Sequence, residues 1–356
     1  MTKVYKGSKK RILILYTEIA GYTVACLNEL RKCEVEIYLI RWVVNKEAPF
    51  QFNFNDIHES TRDQYRNDIE LIKYCKEIQP DIILVSGWLD KGYLKVARSF
   101  YDKIPTILTM DNNWKGSLRQ VLSTWISPFF IRNKFSHVWV PGNKQKTFAN
   151  KLGYSDEKIM TGFYSCDREL FHTYYKNNKE LKSENYPKVF LFVGRYIQAK
   201  GIYNLWNAFI ELDTVNDNDW ELWCVGTGEE FNKKVNHPKI KHFGFVQPEN
   251  FEEIIQKTSV YILPSEFEPW GVSLHEFVSA GFPVIVSDKV GASEIFVKEG
   301  INGFVVRAGS KDSIKEGLRK FMKMNKKELL LMSEESVSLS EKITPEIWVN
   351  KLISLL

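Results

Sequence analysis

Hydrophobic and polar positions follow two alternating rhythms along the chain. One is the short run that is apolar almost throughout. In the first half these runs are Ile12–Tyr16, Val35–Ile40, Asp81–Ser86, Pro105–Met110 and Ser136–Val140. In the second half they are Val189–Val193, Trp220–Val225, Ile240–Phe243, Val260–Leu263 and Pro283–Ser287. A continuous apolar run between turn residues reads as a strand buried on both faces. The other rhythm is the amphipathic segment of helix length. Gly21–Lys32, Asp68–Ile78, Lys91–Phe100, Ser117–Lys134 and Lys144–Leu152 fit it, with a break expected at Pro128. So do Ile202–Leu212, Phe251–Lys257, Val272–Ala280, Ser310–Met324, Glu328–Leu339 and Glu346–Leu356. Asp68–Ile78 is typical: Ile69, Ile72 and Ile78 recur at helical spacing and Pro80 stops the helix. Residues 45–65 keep no period and read as a long loop. Strand–helix alternation with short connectors predicts an α/β chain built on doubly wound parallel sheets.

The rhythm lapses over residues 163–187. Gly162, Asn177, Asn178, Asn185 and Pro187 punctuate a polar stretch of weak periodicity, which reads as an interdomain linker. A length of 356 residues also exceeds one ordinary core. The expected division is a domain over 1–165, a linker over 166–187 and a second domain over 188–340. A terminal helix over 341–356 is expected to cross back to the first domain. Hydrophobic residues make up 44% of the chain, which excludes a disordered or collagen-like class. No run of about eighteen apolar residues occurs, so no membrane-spanning helix is expected. Lys9, Lys10 and Arg11 precede an apolar run too short for a signal peptide, and Glu18 ends it. Five scattered cysteines without a CxxC pair suggest reduced thiols in a cytoplasmic protein.

Charge separates the halves. Residues 1–180 hold 28 Lys and Arg against 20 Asp and Glu, whereas residues 181–356 hold 21 against 24. The stretch 91–151 alone has 11 basic and 2 acidic residues. Such a zone suits nucleic acid, anionic lipid or a phosphorylated substrate, or is a solvated basic face.

Two segments carry candidate chemistry. Val193-Gly194-Arg195-Tyr196-Ile197-Gln198-Ala199-Lys200-Gly201 follows a strand and opens a helix. Arg195 offers a planar donor fork and Lys200 a mobile point charge beside a helix N-terminus. Together they suit a diphosphate; the plainer reading is two surface cations flanking a loop. Pro264 to Glu276 again joins a strand to a helix, with Glu268 in the loop and Glu276 inside the helix. A loop carboxylate suits sugar hydroxyls and a helix carboxylate a ribose diol. The amides around Gly271 and Val272 would point at phosphate oxygens. The plainer reading is a helix start that merely carries acids. No DxD triplet suited to a metal occurs; Asp217-Asn218-Asp219 comes nearest and reads with Asn216 as a turn. There is no HExxH and no spaced His cluster, and His275 reads as a packing residue.

Taken in order, these pieces resemble a known family. Gly194-Arg195 with Lys200-Gly201, Val225-Gly226-Thr227-Gly228, Phe243-Gly244-Phe245-Val246 and the Glu268…Glu276 pair come first. Ala280-Gly281-Phe282-Pro283-Val284-Ile285, Gly291-Ala292-Ser293-Glu294 and Gly300…Gly303 follow. Residues 188–306 so resemble the donor-binding half of retaining glycosyltransferases of the GT-B fold, family four (group 1). The resemblance implies two Rossmann-like domains facing a central cleft. It implies that Arg195 and Lys200 stabilise a leaving nucleotide diphosphate, that Glu268 contacts the transferred sugar and that Glu276 binds the ribose. Gly194, Gly226, Trp270, Gly271 and Val272 fall on the donor side, and the loop with Phe245 and Val246 receives the base. A nucleotide sugar, with UDP or GDP, is then the donor, and no metal or other cofactor is expected.

The first half resembles the family less closely. Pro141-Gly142 and Gly162…Asp167…Phe171 fit, but Ala20-Gly21-Tyr22 replaces a Gly-Gly pair and Met110-Asp111-Asn112-Asn113-Trp114 lacks the family's His. Gly21 would let a phosphate or acceptor approach the backbone. Asp111 is the candidate for orienting the acceptor hydroxyl or the donor sugar; otherwise it is a turn residue after a strand. Leu118–Phe135 mixes Trp125, Phe129 and Phe130 with Arg119, Arg132 and Lys134. That composition makes an anionic membrane surface an expected partner and a saccharide or lipid-linked saccharide the expected acceptor, with a place on the cytoplasmic membrane face. The same aromatic residues equally suit a core. Nucleic acid is not expected. The rival reading is a non-catalytic GT-B subunit that binds a glycan or a partner.

Overall fold

A computed structural model describes residues 9–43, 52–215 and 219–356. Part of the expected loop over 45–65, and Asn216, Asp217 and Asn218 of the expected turn, lie outside the described residues. The chain divides into two compact units, residues 1–164 with 345–356, and residues 165–344.

In the first unit the order is β1 (Lys10–Tyr16), α1 (Gly21–Leu30), β2 (Val35–Arg41), β3 (His58–Thr61), α2 (Asp68–Ile78), β4 (Ile82–Ser86) and α3 (Lys91–Phe100). Then come β5 (Thr106–Thr109), α4 (Leu118–Phe130), β6 (His137–Trp139), α5 (Asn143–Lys151) and β7 (Ile159–Met160). The strands form one parallel sheet in the order β3-β2-β1-β4-β5-β6-β7. Period-two geometry sorts the apolar run of β1 between two cores. Leu13 and Leu15 join one, with Ile83, Val85 and Leu108. Ile12 and Ile14 join the other, with Ile37, Leu39, Ile82 and Ile107. Helices cover both faces, which is why the inner strands carry no polar face.

The second unit continues with α6 (Arg168–Glu184), β8 (Val189–Val193), α7 (Ile202–Val215), β9 (Glu221–Val225), β10 (Ile240–His242), α8 (Glu252–Lys257) and β11 (Val260–Leu263). Next are α9 (Val272–Ser279), β12 (Val284–Ser287), α10 (Ser293–Phe296), β13 (Gly303–Val306), α11 (Lys311–Lys323) and α12 (Lys326–Ser340). Helix α13 (Pro345–Ile353) belongs to the first unit and packs on α1. The second sheet is also parallel, in the order β10-β9-β8-β11-β12-β13.

Three expectations are corrected. Residues 166–187 are not a linker: α6 spans seventeen residues there, capped by the Asp167 carboxylate, which accepts from the Leu170 N–H at 3.1 Å. Its asparagines serve the helix, since Asn178 Nδ2 donates to Tyr174 O and to Glu252 Oε1, both at 2.9 Å. Lys182 is buried with its ammonium 4.1 Å from the Phe282 ring centroid. Pro128 does not break α4: it lies exposed two residues from the helix end, and its missing N–H removes only one bond, to the turn before it. Residues 58–61 form β3 within the expected loop.

Candidate functional site

In each sheet the chain starts near the middle, builds outward, then returns to build the other way. The reversal falls between β1 and β4 in the first unit and between β8 and β11 in the second. At such a point the loops leaving two neighbouring strands diverge and open a crevice at their carboxyl ends.

The second unit's crevice gathers most of the residues singled out above. The β8 loop carries Gly194, Arg195 and Lys200, and the β11 loop carries Glu268, Trp270 and Gly271. The two loops are tied together, since the Ala199 carbonyl accepts from Glu266 N–H at 2.8 Å and Phe267 N–H at 3.3 Å. Lys200 Nζ makes an ion pair with Glu268 Oε2, both side chains being more than four-fifths buried. Arg195 stays exposed on the same loop. A short 3-10 turn at Gln198–Lys200 ends in Gly201 at φ +70°, where a Cβ would lie 2.3 Å from the Pro264 carbonyl oxygen. Only glycine lets these loops approach so closely.

The loops after β9 and β10 close the same side. Gly226 has φ +132°, and a Cβ there would lie 2.0 Å from the Gly194 carbonyl oxygen. Gly194 N–H donates to Val225 O at 3.0 Å, and Gly226 N–H to Gly244 O at 2.7 Å. Phe245 and Val246 follow, both half-buried.

Helix α9 starts in this crevice. Gly271 stands at its head with φ +95°, and no side chain caps the helix. A Cβ on Gly271 would lie 3.0 Å from Glu268 Cγ. Glu268 is held on the far side too, by a backbone bridge to Val290 and by its carbonyl, which accepts from Gly291 N–H at 3.1 Å. Behind the helix start, Tyr261 Oη donates to Ser273 Oγ at 2.8 Å. Glu276 follows one turn on, half-buried. Burial pushes its carboxyl up to about 7, with the negative Asp167 adding to the rise. Burial also raises Asp167. The Trp270 ring is in the packing layer, 2% exposed and edge-on to Phe296. Val272 opens α9 half-buried.

His275 is a packing residue. Its Nδ1 accepts from Cys166 N–H at 3.2 Å, its Nε2 donates to Ser340 O at 3.0 Å, and its ring stacks on Phe296. Burial lowers its pKa to about 4, so it is neutral at pH 7.

Gly21 and Asp111 belong to the first unit. Gly21 opens α1, and a Cβ there would meet nothing within 4 Å. Asp111 follows β5 and accepts from Tyr164 Oη at 3.3 Å, while the Tyr164 ring lies edge-on to Tyr22 at 5.3 Å. Tyr164 was not anticipated, and Asp167 entered only through the Gly162…Asp167…Phe171 pattern, with no part in the site. Tyr164 is 53 positions from its partner Asp111, so no local pattern links them.

Among the described residues no group of three or more His, Cys, Asp or Glu could hold a metal ion. None of their helices is long and apolar enough to cross a membrane. None of the five cysteines is in a disulfide.

Residues 173–335 match a family model described as glycosyl transferases group 1. An uncharacterised glycosyltransferase of Methanocaldococcus jannaschii is 32% identical over 139 residues, or 37% of this chain and 35% of the relative. A second archaeal relative is matched over 40% of its length, so the chain spans well under half of either. A lipopolysaccharide 1,6-galactosyltransferase of Salmonella typhimurium is 22% identical over 75% of this chain and 72% of that protein. Among solved structures, Anabaena HepE in complex with UDP and glucose superposes with a TM-score of 0.72 at 15% identity, covering 97% of this chain and 98% of that one. The likeness is one of fold, and with the two parallel sheets it identifies the GT-B architecture.

Proposed function

We propose that this chain, a member of the group 1 glycosyltransferases of the GT-B fold, moves a hexose from a UDP-hexose to a saccharide or lipid-linked saccharide acceptor, retaining the anomeric configuration. The observation that carries the reading is the crevice between β8 and β11. It joins Arg195 and the Lys200–Glu268 ion pair to the uncapped head of α9 and to Glu276, within the segment matched by the family model. UDP is favoured over GDP because the Anabaena neighbour was solved with UDP and glucose. A surface saccharide acceptor is favoured by the Salmonella relative, a lipopolysaccharide galactosyltransferase. The reaction belongs to the cytoplasmic side of a membrane, where nucleotide sugars are supplied.

Breaking the sugar–phosphate bond builds negative charge on the diphosphate. Arg195 and Lys200 meet that charge, and the amides of Gly271 and Val272 donate to its oxygens. These two cations would supply what a metal does, so the proposed transfer proceeds without one. Glu268 accepts from hydroxyls of the sugar, and its ion pair keeps Lys200 extended toward the leaving group beforehand. Glu276 accepts from the ribose diol, and the Gly244–Val246 loop receives the base. The acceptor attacks on the face the diphosphate leaves, its proton passing to that leaving phosphate.

The test is a panel of UDP-glucose, UDP-galactose and GDP-mannose, each with EDTA, read by release of nucleoside diphosphate and by melting temperature. A UDP-sugar should raise the melting midpoint and turn over. Arg195→Ala and Lys200→Ala should each lower turnover about 100-fold or more with the fold intact. Full activity in either variant would refute the assignment, and donor binding without turnover in wild type would favour a non-catalytic subunit.

A further inference from the structure

Helix α4 is built inside out. Of its thirteen residues only Ser127 is buried. Leu118, Leu122, Trp125 and Phe129 recur at i, i+4, i+7 and i+11 and are 84%, 61%, 78% and 80% exposed. Ile126 and Phe130, each 53% exposed, widen the stripe. The side turned to the body of the unit is small and polar. Ser127 Oγ donates to Leu152 O at 2.8 Å, and Gln120 Nε2 donates to Asn113 O at 2.7 Å. Gln120 Oε1 also accepts from Lys115 N–H at 2.7 Å. A surface helix of a globular protein ordinarily does the reverse. This one is anchored by hydrogen bonds and presents its apolar face outward, in a patch of the kind that marks an interaction site.

The charge around it selects the occupant. Residues 112–151 hold seven Lys and Arg and no Asp or Glu. Lys115, Arg119 and Arg132, at and beside the two ends of the helix, are exposed. A second copy docked by a two-fold axis would bring this basic segment against itself, with like charges at the rim. A bilayer with anionic lipid offers acyl chains to the stripe and negative headgroups to the cations. The exposed Trp125 is the residue type that settles at such an interface.

We propose that α4 is a membrane-surface helix, lying in the interface of an anionic bilayer with its Leu118–Phe129 stripe in the acyl boundary and its cations on the headgroups. The proposal rests on α4 and its flanks alone and stands apart from the transfer reaction.

Co-sedimentation of the full chain with phosphatidylcholine vesicles, with and without phosphatidylglycerol, tests it. Wild type should bind the anionic vesicles and lose affinity as salt rises. Trp125→Ser with Phe129→Ser should weaken binding about tenfold or more without lowering the melting midpoint, since both side chains are exposed. Arg119→Gln and Arg132→Gln should each weaken it about fivefold on anionic vesicles only. No binding at low salt, equal binding to both vesicle types, or unchanged binding by the double variant would overturn the proposal. So would a concentration-dependent dimer that the double variant abolishes while vesicles bind neither protein.

Discussion

Glu276 is a carboxyl whose proposed role and whose surroundings disagree. A ribose diol is best accepted by a carboxylate, yet burial and the neighbouring Asp167 push this group up to about 7 from its ordinary 4.5. The raised value means that the folded protein holds a proton on Glu276 that the unfolded chain releases near 4.5. That contribution to stability is complete below pH 4.5 and is lost as pH rises through 7. The proposed ribose contact draws on the ionised form, so under that proposal calorimetric titration should find UDP binding tightening between pH 6 and 8. Glu276→Gln should bind more weakly at pH 8 and lose the part of the slope that the carboxyl supplies; identical slopes in the two proteins would refute the role. The Glu268…Glu276 spacing was visible in the sequence because one loop and one helix hold both. The approach of Asp167 to Glu276 was not, since it comes only through the packing of α6, a helix that the sequence presents as polar and unpatterned.

The same contrast runs through the elements. Inner strands such as β1, β4, β8 and β11 were legible because both faces are covered, so every position must be apolar. Strands β3 and β7 stand at the edges of the first sheet with one neighbour each, and they left no comparable run. His58–Thr61 has no buried residue at all. Helix α6 was missed because its asparagines and charges resemble loop residues, although they bond to the helix and to its neighbour α8. Loop glycines were legible as candidates, but only the backbone separates their duties. Gly226→Ala should fail structurally: a Cβ meets the Gly194 carbonyl at 2.0 Å, and φ +132° is itself strained for a side chain. A loss of about 2 kcal/mol or more is expected, with loss of UDP binding, by denaturant melts and titration. Gly21→Ala should keep or slightly raise stability, because α1 begins there in open space. If turnover nevertheless falls, Gly21 serves ligand approach; unchanged turnover removes it from the site.

At the scale of the whole chain, the first unit is discontinuous. Residues 1–164 are completed by residues 345–356, so a helix that follows the whole second unit in the chain finishes the first sheet's cover. Trp348, Val349 and Leu352 are at most 3% exposed and join the core with Ile12, Ile14 and Leu27. The Trp348 ring stacks on Trp139 at 4.9 Å, and Lys351 Nζ donates to Thr161 O at 2.8 Å. The second unit, by contrast, closes its core within residues 165–344. The two units therefore depend unequally on residues 345–356. Trp348→Ala should cost about 3 kcal/mol or more in the first unit, on the order of 10 °C in its melting midpoint. Removal of residues 345–356 should go further and expose the α1 face of that core. Neither change touches the crevice between β8 and β11, so a UDP-sugar should still raise the melting midpoint of the second unit. Calorimetry with and without the donor distinguishes the outcomes: one early transition and one that responds to UDP are expected. A single transition lowered as a whole, with loss of the UDP response, would mean that the second unit cannot hold its donor site without a complete first unit.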